Sequence, residues 1–321
     1  AEETCDVESG GCGVESLREK VTDLTARLAK CEGESAAVGA AKDAGKEKKA
    51  LVVAIITAPS NVDRRTAIRE TWLSSKPANA EDENDIDTQT KKKKGAMPKN
   101  IAFQFYVGEP ADDAQRAALE SESALHGDMV LLKGVADRYD NLVWKIRGIM
   151  IHIAGHYKFK HFLKLDDDCY VRPKALSKLL RTLPTKRLYY GERQEGGQPH
   201  RHEGHKWNLP RETYFMRELP PYAHGYAYML SADMVEYIVS NKEHLKPLAL
   251  MDDISVALWM LALQVHPLHA DKFSQLPSMS NGFGSRCNSK SVILGSVDEP
   301  GAMAALHKQV KAGKSVCALN K

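Results

Sequence analysis

The chain has no run of about 18 or more apolar residues, so no segment reads as a membrane-spanning helix. Cysteine is scarce. Six in 321 residues are too few for a disulfide scaffold, though enough for a bridge or two in an oxidising compartment. Neither charge dominates: 45 Lys plus Arg face 42 Asp plus Glu, a net charge of +3, which is not the footprint of a phosphate-backbone binder. The tripeptide Asn-X-Ser/Thr is absent, so N-glycosylation is not expected. No internal repeat is present. The opening residues, AEETC, are polar and acidic, without Met or an apolar leader. They read as the start of a mature or trimmed chain, with any membrane anchor expected upstream.

What is present is a globular composition, 43% hydrophobic and 27% charged. Val14, Leu17, Val21, Leu24, Leu28 and Cys31 form an a/d seam, with Ser16 and Glu19 as a capping box. The seam is short, and it suits either a surface helix or a dimerising stem bridged through Cys31. Residues 35–49 read as a linker. Order begins at LVVAIIT (51–57), a β-branched run typical of a strand buried on both faces. A helix over 64–73 follows, and then a low-complexity stretch, 76–99, read as a mobile insertion. Strands at 101–108, 128–134 and 161–165 alternate with helices at 111–126, 141–157 and from Pro173. Such alternation predicts an α/β layered fold on a mostly parallel sheet.

Four features can carry chemistry. Asp166, Asp167 and Asp168 end a strand, where open α/β sheets bind ligands. Their hard oxygens suit Mg²⁺ or Mn²⁺ holding a diphosphate, although a solvated acidic turn has the same pattern. Asp252–Asp253 opens an apolar helix, either as a cap and first-turn acid or as a general base. LPPYAHGYAYMLSADM (219–234) reads as a rigid turn and a short strand, with Ser231 capping the next helix. As function, its aromatics could wall a sugar pocket. His266 and His269 suit structural roles or metal ligation.

RRTAIRETW (64–72), FYVG (105–108), YDNLVWK (139–145), KLDDDCYV (164–171), PPYAHGYAYMLSAD (220–233) and MDDISVALW (251–259) occur in one order. In that order they resemble the β-1,3-galactosyltransferase-like family over about residues 51–320. The C-terminal SRCNSKSVIL with Cys317 looks most like the enzymes that build the proteoglycan linker. The resemblance implies a GT-A fold, helices on both faces of the sheet, a UDP-sugar donor, Mn²⁺ and inversion at the anomeric carbon. It also implies a Golgi-lumenal domain of a type II membrane protein that acts on a glycan or glycoprotein acceptor. By position it makes Asp168, Asp166 and His269 metal ligands, with His266 the alternative to His269. Asp253 becomes the base, with Asp252 beside it. Arg65, Arg69, Lys145, Asp166 and Asp167 fall on the donor side. Cys287 and Cys317 are expected to bridge and Cys169 to be a buried free thiol. The domains implied are a stem at 1–34, a linker at 35–50 and a catalytic domain at 51–321.

The chain departs from the family pattern at Asp252-Asp253-Ile254-Ser255-Val256-Ala257, where Glu-Asp-Val-x-x-Gly is usual. The shorter Asp252 and the methyl of Ala257 are expected to alter the acceptor side. Asn141-Leu142-Val143 replaces the usual Asn-Leu-Thr. The leading expectation is transfer of galactose from UDP-galactose. The alternatives are N-acetylglucosaminyl transfer, a non-catalytic glycan-binding or chaperone member, and a structural stem protein.

Overall fold

The computed structural model describes residues 20–23, 25, 27, 43–74, 100–276, 288–298 and 300–317. The chain divides into two compact units, Ala1–Glu47 and Lys48–Lys321. In the first, residues 20–23, 25 and 27 are helical. Val21, on the predicted seam, is 60% exposed. The rest of the seam, the Ser16–Glu19 box, the insertion at 76–99 and Cys287 lie outside the described residues, and so does the expected Cys287–Cys317 bridge. No described helix is long and apolar enough to cross a membrane.

The second unit is built on a seven-stranded sheet of order β3-β2-β1-β4-β7-β6-β8. The strands are β1 (Glu47–Ile56), β2 (Ile101–Glu109), β3 (Met129–Ala136), β4 (Tyr157–Asp166), β6 (Tyr189–Gln194), β7 (Tyr222–Ser231) and β8 (Leu268–His269). A three-stranded sheet joins β5 (Tyr170–Val171), β10 (Ile293–Gly295) and β9 (Phe273–Gln275). β1, β2 and β3 run parallel, while β7 is antiparallel to both β4 and β6. This is the mixed, mostly parallel α/β architecture that the strand and helix alternation predicts.

The run at 51–57 is uniformly apolar because each face of β1 meets a different core. Leu51, Val53 and Ile55 point into one, and Val52, Ala54 and Ile56 into the other. Over the first face lie α1 (Val62–Glu70), α2 (Asp113–His126), α4 (Pro173–Leu180) and α7 (Pro300–Lys311). Over the second lie α3 (Leu142–His156), α5 (Ala232–Ser240) and α6 (Asp252–Leu261). Asp112 caps α2 by accepting from the Gln115 amide at 2.8 Å, and Gly127 ends it at φ 66°.

Two local expectations change. The strand after Pro221 is ten residues long rather than short. Ser231 does not cap α5 with its side chain. Its hydroxyl donates to Asp233 and accepts from the Leu188 amide, tying β7 to β6.

The amide of Asn61, five residues past β1, donates to Asp167 at 2.8 Å, so β1 and β4 end at the same edge. The strand directions bring the ends of β2, β3 and β6 and the start of β7 to that edge as well. The site is built there, as in other open α/β sheets.

Candidate active site

The two acidic motifs, more than 80 residues apart in sequence, meet at Lys164. Its side chain is 1% exposed inside β4. Its ammonium donates to Asp166 Oδ1 at 2.6 Å and lies 3.7 Å from Asp252 Oδ2. It also donates to the Gly225 carbonyl on β7. Burial pulls the Lys164 pKa down, but Asp166 and Asp252 more than offset this and leave it raised. A buried ammonium is tolerated because it is paired in this way.

The three aspartates of KLDDDCYV divide their work. Asp167 is buried, and its carboxylate accepts from Asn61 and, at 2.9 Å, from Arg64. It thus clamps the turn to α1 instead of facing a ligand, as the donor-side assignment had it. Asp166 remains 38% exposed. Burial, only partly offset by Lys164, pushes its pKa up to about 6. Asp168 is pushed up to about 7 by burial and by Asp166 and Asp167. These carboxylates crowd together, and burial and their mutual repulsion disfavour the charged forms. Behind them Cys169 is the buried free thiol expected.

Asp252 is buried, accepts from the Tyr228 hydroxyl at 3.4 Å, and is pushed up to about 6 by burial. Asp253 is partly exposed, and its Oδ1 accepts from the Ile254 amide at 2.8 Å. Burial raises its pKa too. Of the pair, Asp253 is the acid that a substrate can reach. Gly225 presses on it: a Cβ at that position would stand 3.2 Å from Asp253 Oδ2. The expectation that Ala257 alters the acceptor side is not met, because its methyl lies in the core beneath α6.

The arginines of RRTAIRETW are placed differently from expectation. All five N–H groups of Arg65 are used, on Glu122, Thr57 and the Ala58 and Pro59 carbonyls. Arg69 pairs with Glu122 and Asp128. Both therefore fasten α1 to α2 and to Asp128 just before β3, whereas Arg64 turns to Asp167. Burial raises the Glu122 pKa, but the two arginines outweigh it and hold it below the usual range. Glu122→Ala would strand the Arg65 charge, whose side chain is 1% exposed. A loss of about 3–5 kcal/mol in unfolding free energy is expected, read by urea denaturation.

Lys145 does reach this edge. Its ammonium donates to the Thr57 carbonyl at 2.7 Å and to Asp137 Oδ2 at 2.6 Å. Gly108 of FYVG donates its amide to the same Asp137 oxygen at 2.6 Å. A Cβ at Gly108 would lie 2.7 Å from the Val135 carbonyl, which explains the glycine.

His269 sits on the edge strand β8, where Nδ1 accepts from the Arg193 amide at 3.1 Å and Nε2 lies 3.7 Å from Asp271. His266 is exposed. Among the described residues no group of three or more His, Cys, Asp or Glu could hold a metal, so His269 does not join Asp166 and Asp168. The two carboxylates still fit a hard divalent ion of the kind bound by one or two carboxylates plus substrate phosphates.

Sequence reading passed over Arg64, Asn61, Lys164 and Asp137. The clearest available signal was Lys164, a cation set between Leu163 and Leu165 in the apolar end of a strand, which had to find acids.

A family model described as Galactosyltransferase matches residues 63–271. Mouse beta-1,3-galactosyltransferase 6 is 33% identical over 259 residues, covering 77% of this chain and 71% of that protein. Human beta-1,3-galactosyltransferase 1 is 33% identical over 228 residues, 70% of this chain. That match spans 64% of the human protein, just under two thirds of its length. Among solved structures, apo mouse xyloside xylosyltransferase 1 aligns with a TM-score of 0.39 at 12% identity, covering 78% of this chain and 97% of the other.

Proposed function

The chain belongs to the galactosyltransferase family of hexosyltransferases, and from that premise we propose that it transfers galactose from UDP-galactose to a glycan hydroxyl, forming a β-1,3 linkage with inversion. The observation that carries this reading is the convergence of Asp166 and Asp252–Asp253 on Lys164 at the carboxyl edge of the sheet. The names of the relatives favour galactose over N-acetylglucosamine. By the family resemblance, the reading also places the chain in the Golgi lumen as part of a type II membrane protein.

In the proposed reaction Asp253 takes the proton of the acceptor hydroxyl as that oxygen attacks the anomeric carbon from the face opposite UDP. Its raised pKa, caused by burial, makes it a stronger base than a solvated aspartate. Asp252, to which the Tyr228 hydroxyl donates, pairs with Lys164, and Lys164 keeps Asp166 in place beneath the diphosphate. Asp166 and Asp168 would hold Mn²⁺, which supplies charge neutralisation for the departing diphosphate. Arg64, 32% exposed and oriented by Asp167, adds positive charge at the same rim. The reading is tested by incubating the chain with UDP-galactose, Mn²⁺ and a β-galactoside. Acceptor-dependent UDP release is expected, and its absence across a panel of glycan acceptors would refute transfer.

Gly225→Ala tests the packing around the base. The new methyl would stand 3.2 Å from the Asp253 carboxylate, which must give by a few tenths of an ångström, and a kcat loss of roughly three- to tenfold is expected. The melting temperature should move little, because the contact is with a side chain rather than backbone.

A further inference from the structure

Asp252 shares an acidic motif with Asp253, yet it is closed off from any substrate. Its side chain is 5% exposed at the buried start of α6. It meets the Tyr228 hydroxyl at 3.4 Å and the Lys164 ammonium at 3.7 Å. Both of those partners are themselves buried. Of the two, only Lys164 also touches a residue that opens on the site. What Asp252 does for the site it must therefore do through Lys164.

Lys164 stands between two carboxylates with unequal access to solvent. On one side it donates to Asp166 Oδ1 at 2.6 Å, and Asp166 is 38% exposed at the carboxyl edge of the sheet. On the other side lies the enclosed carboxylate of Asp252. The Gly225 carbonyl on β7 accepts from the same ammonium and anchors it between the two. One positive charge thus serves two negative ones, and the share that Asp252 takes is withheld from Asp166. A carboxylate paired with an ammonium of its own attracts a divalent ion less, and the ammonium repels that ion. Asp252 offsets both effects. It leaves the three groups with one net negative charge instead of none.

We infer that Asp252 is a positioning residue of the cation site: by sharing Lys164 it keeps Asp166 available to the divalent ion that holds the donor diphosphate. The inference rests on the transferase reading above, and it assigns Asp252, neighbour of the base, to the donor half of the site. Loss of an outer partner of a metal ligand lowers metal affinity by roughly 10- to 100-fold. Asp252 acts one contact further out than Lys164, so the lower figure is expected.

The test is calorimetric titration of UDP into the full chain over a range of Mn²⁺ concentrations, with steady-state kinetics beside it. Asp252→Asn keeps an oxygen that can accept from Tyr228 and removes the charge. It is expected to raise the Mn²⁺ concentration for half-maximal UDP binding about tenfold, with the acceptor KM within about twofold. Asp252→Glu retains the charge and is expected to stay within about threefold of the wild type. A Mn²⁺ requirement unchanged in Asp252→Asn overturns the inference. So does an acceptor KM that rises as much as the Mn²⁺ requirement, or a Glu variant as weak as the Asn one. An Asn variant that no longer folds would make Asp252 a residue of the fold and overturn it too. A wild type that binds UDP with Mn²⁺ but transfers nothing removes the transferase reading, while the calorimetric comparison still decides the role of Asp252. UDP binding without any Mn²⁺ dependence in the wild type overturns the role outright, whether or not transfer is seen.

Discussion

Asp253→Asn is expected to lower kcat by about 10² to 10⁴-fold while leaving the affinity for UDP within about threefold. The substitution keeps the shape of the side chain and removes only its capacity to take a proton. Asp253 accepts from its neighbouring Ile254 amide and sits beside Gly225, contacts that an amide oxygen can also make. Lys164 is held chiefly by Asp166, at 2.6 Å, so the donor side should not feel the change. Stopped-time assays of transfer, together with calorimetric titration of UDP, separate the two effects. Retained transfer would remove Asp253 as the base, and a parallel loss of UDP affinity would move it to the donor side.

The second large effect is expected at Asp168. Asp168→Ala should reduce Mn²⁺-dependent UDP affinity by at least about 100-fold, since a ligating carboxylate is lost outright. Binding measured with a chelator in place of Mn²⁺ should be nearly the same in wild type and variant. The pH dependence follows from the crowding of the acids. Burial, Asp166 and Asp167 push the Asp168 pKa up from the ordinary 3.8 to about 7. Between those values the folded chain binds more protons than the unfolded one, so the metal-free protein should lose stability as pH rises through that window. A cation must displace the same proton, and its apparent affinity should fall by up to about tenfold per pH unit below about 7. Calorimetry of UDP with Mn²⁺ from neutral to acidic pH checks this. A titration unchanged in the variant would refute the ligand assignment.

Much of this architecture was legible because its causes are local. An apolar, β-branched run such as 51–57 can only be a strand covered on both sides, and Pro173 could open a helix at its first turn. The acid motifs were legible as residues, but their relation was not. Nothing in the spacing of Asp166 and Asp252 shows that they share one ammonium, because the contact needs β7 to pair with β4 and the start of α6 to lie against β7. Neighbouring arginines were unreadable for a different reason. Consecutive helix positions point about 100° apart, so Arg64 turns to Asp167 while Arg65 turns to Glu122. Only the packed position of α1 fixes which of them does which. His269 was assigned by position, but its two-residue strand is defined by pairing with β6. Short edge strands of this kind carry too few residues for a periodic signal. Trp207 and Tyr139, 68 apart in sequence, are joined by one hydrogen bond, which no local pattern announces.

In the proposed single displacement a carboxylate of this chain activates the acceptor and the sugar configuration inverts. Proton NMR of the product formed from UDP-galactose and a β-galactoside tests it most directly. A new β-linked galactose on the 3-hydroxyl is expected, formed by the wild type and almost absent with Asp253→Asn. An α-linked product, or equal β-linked product from the variant, would contradict it.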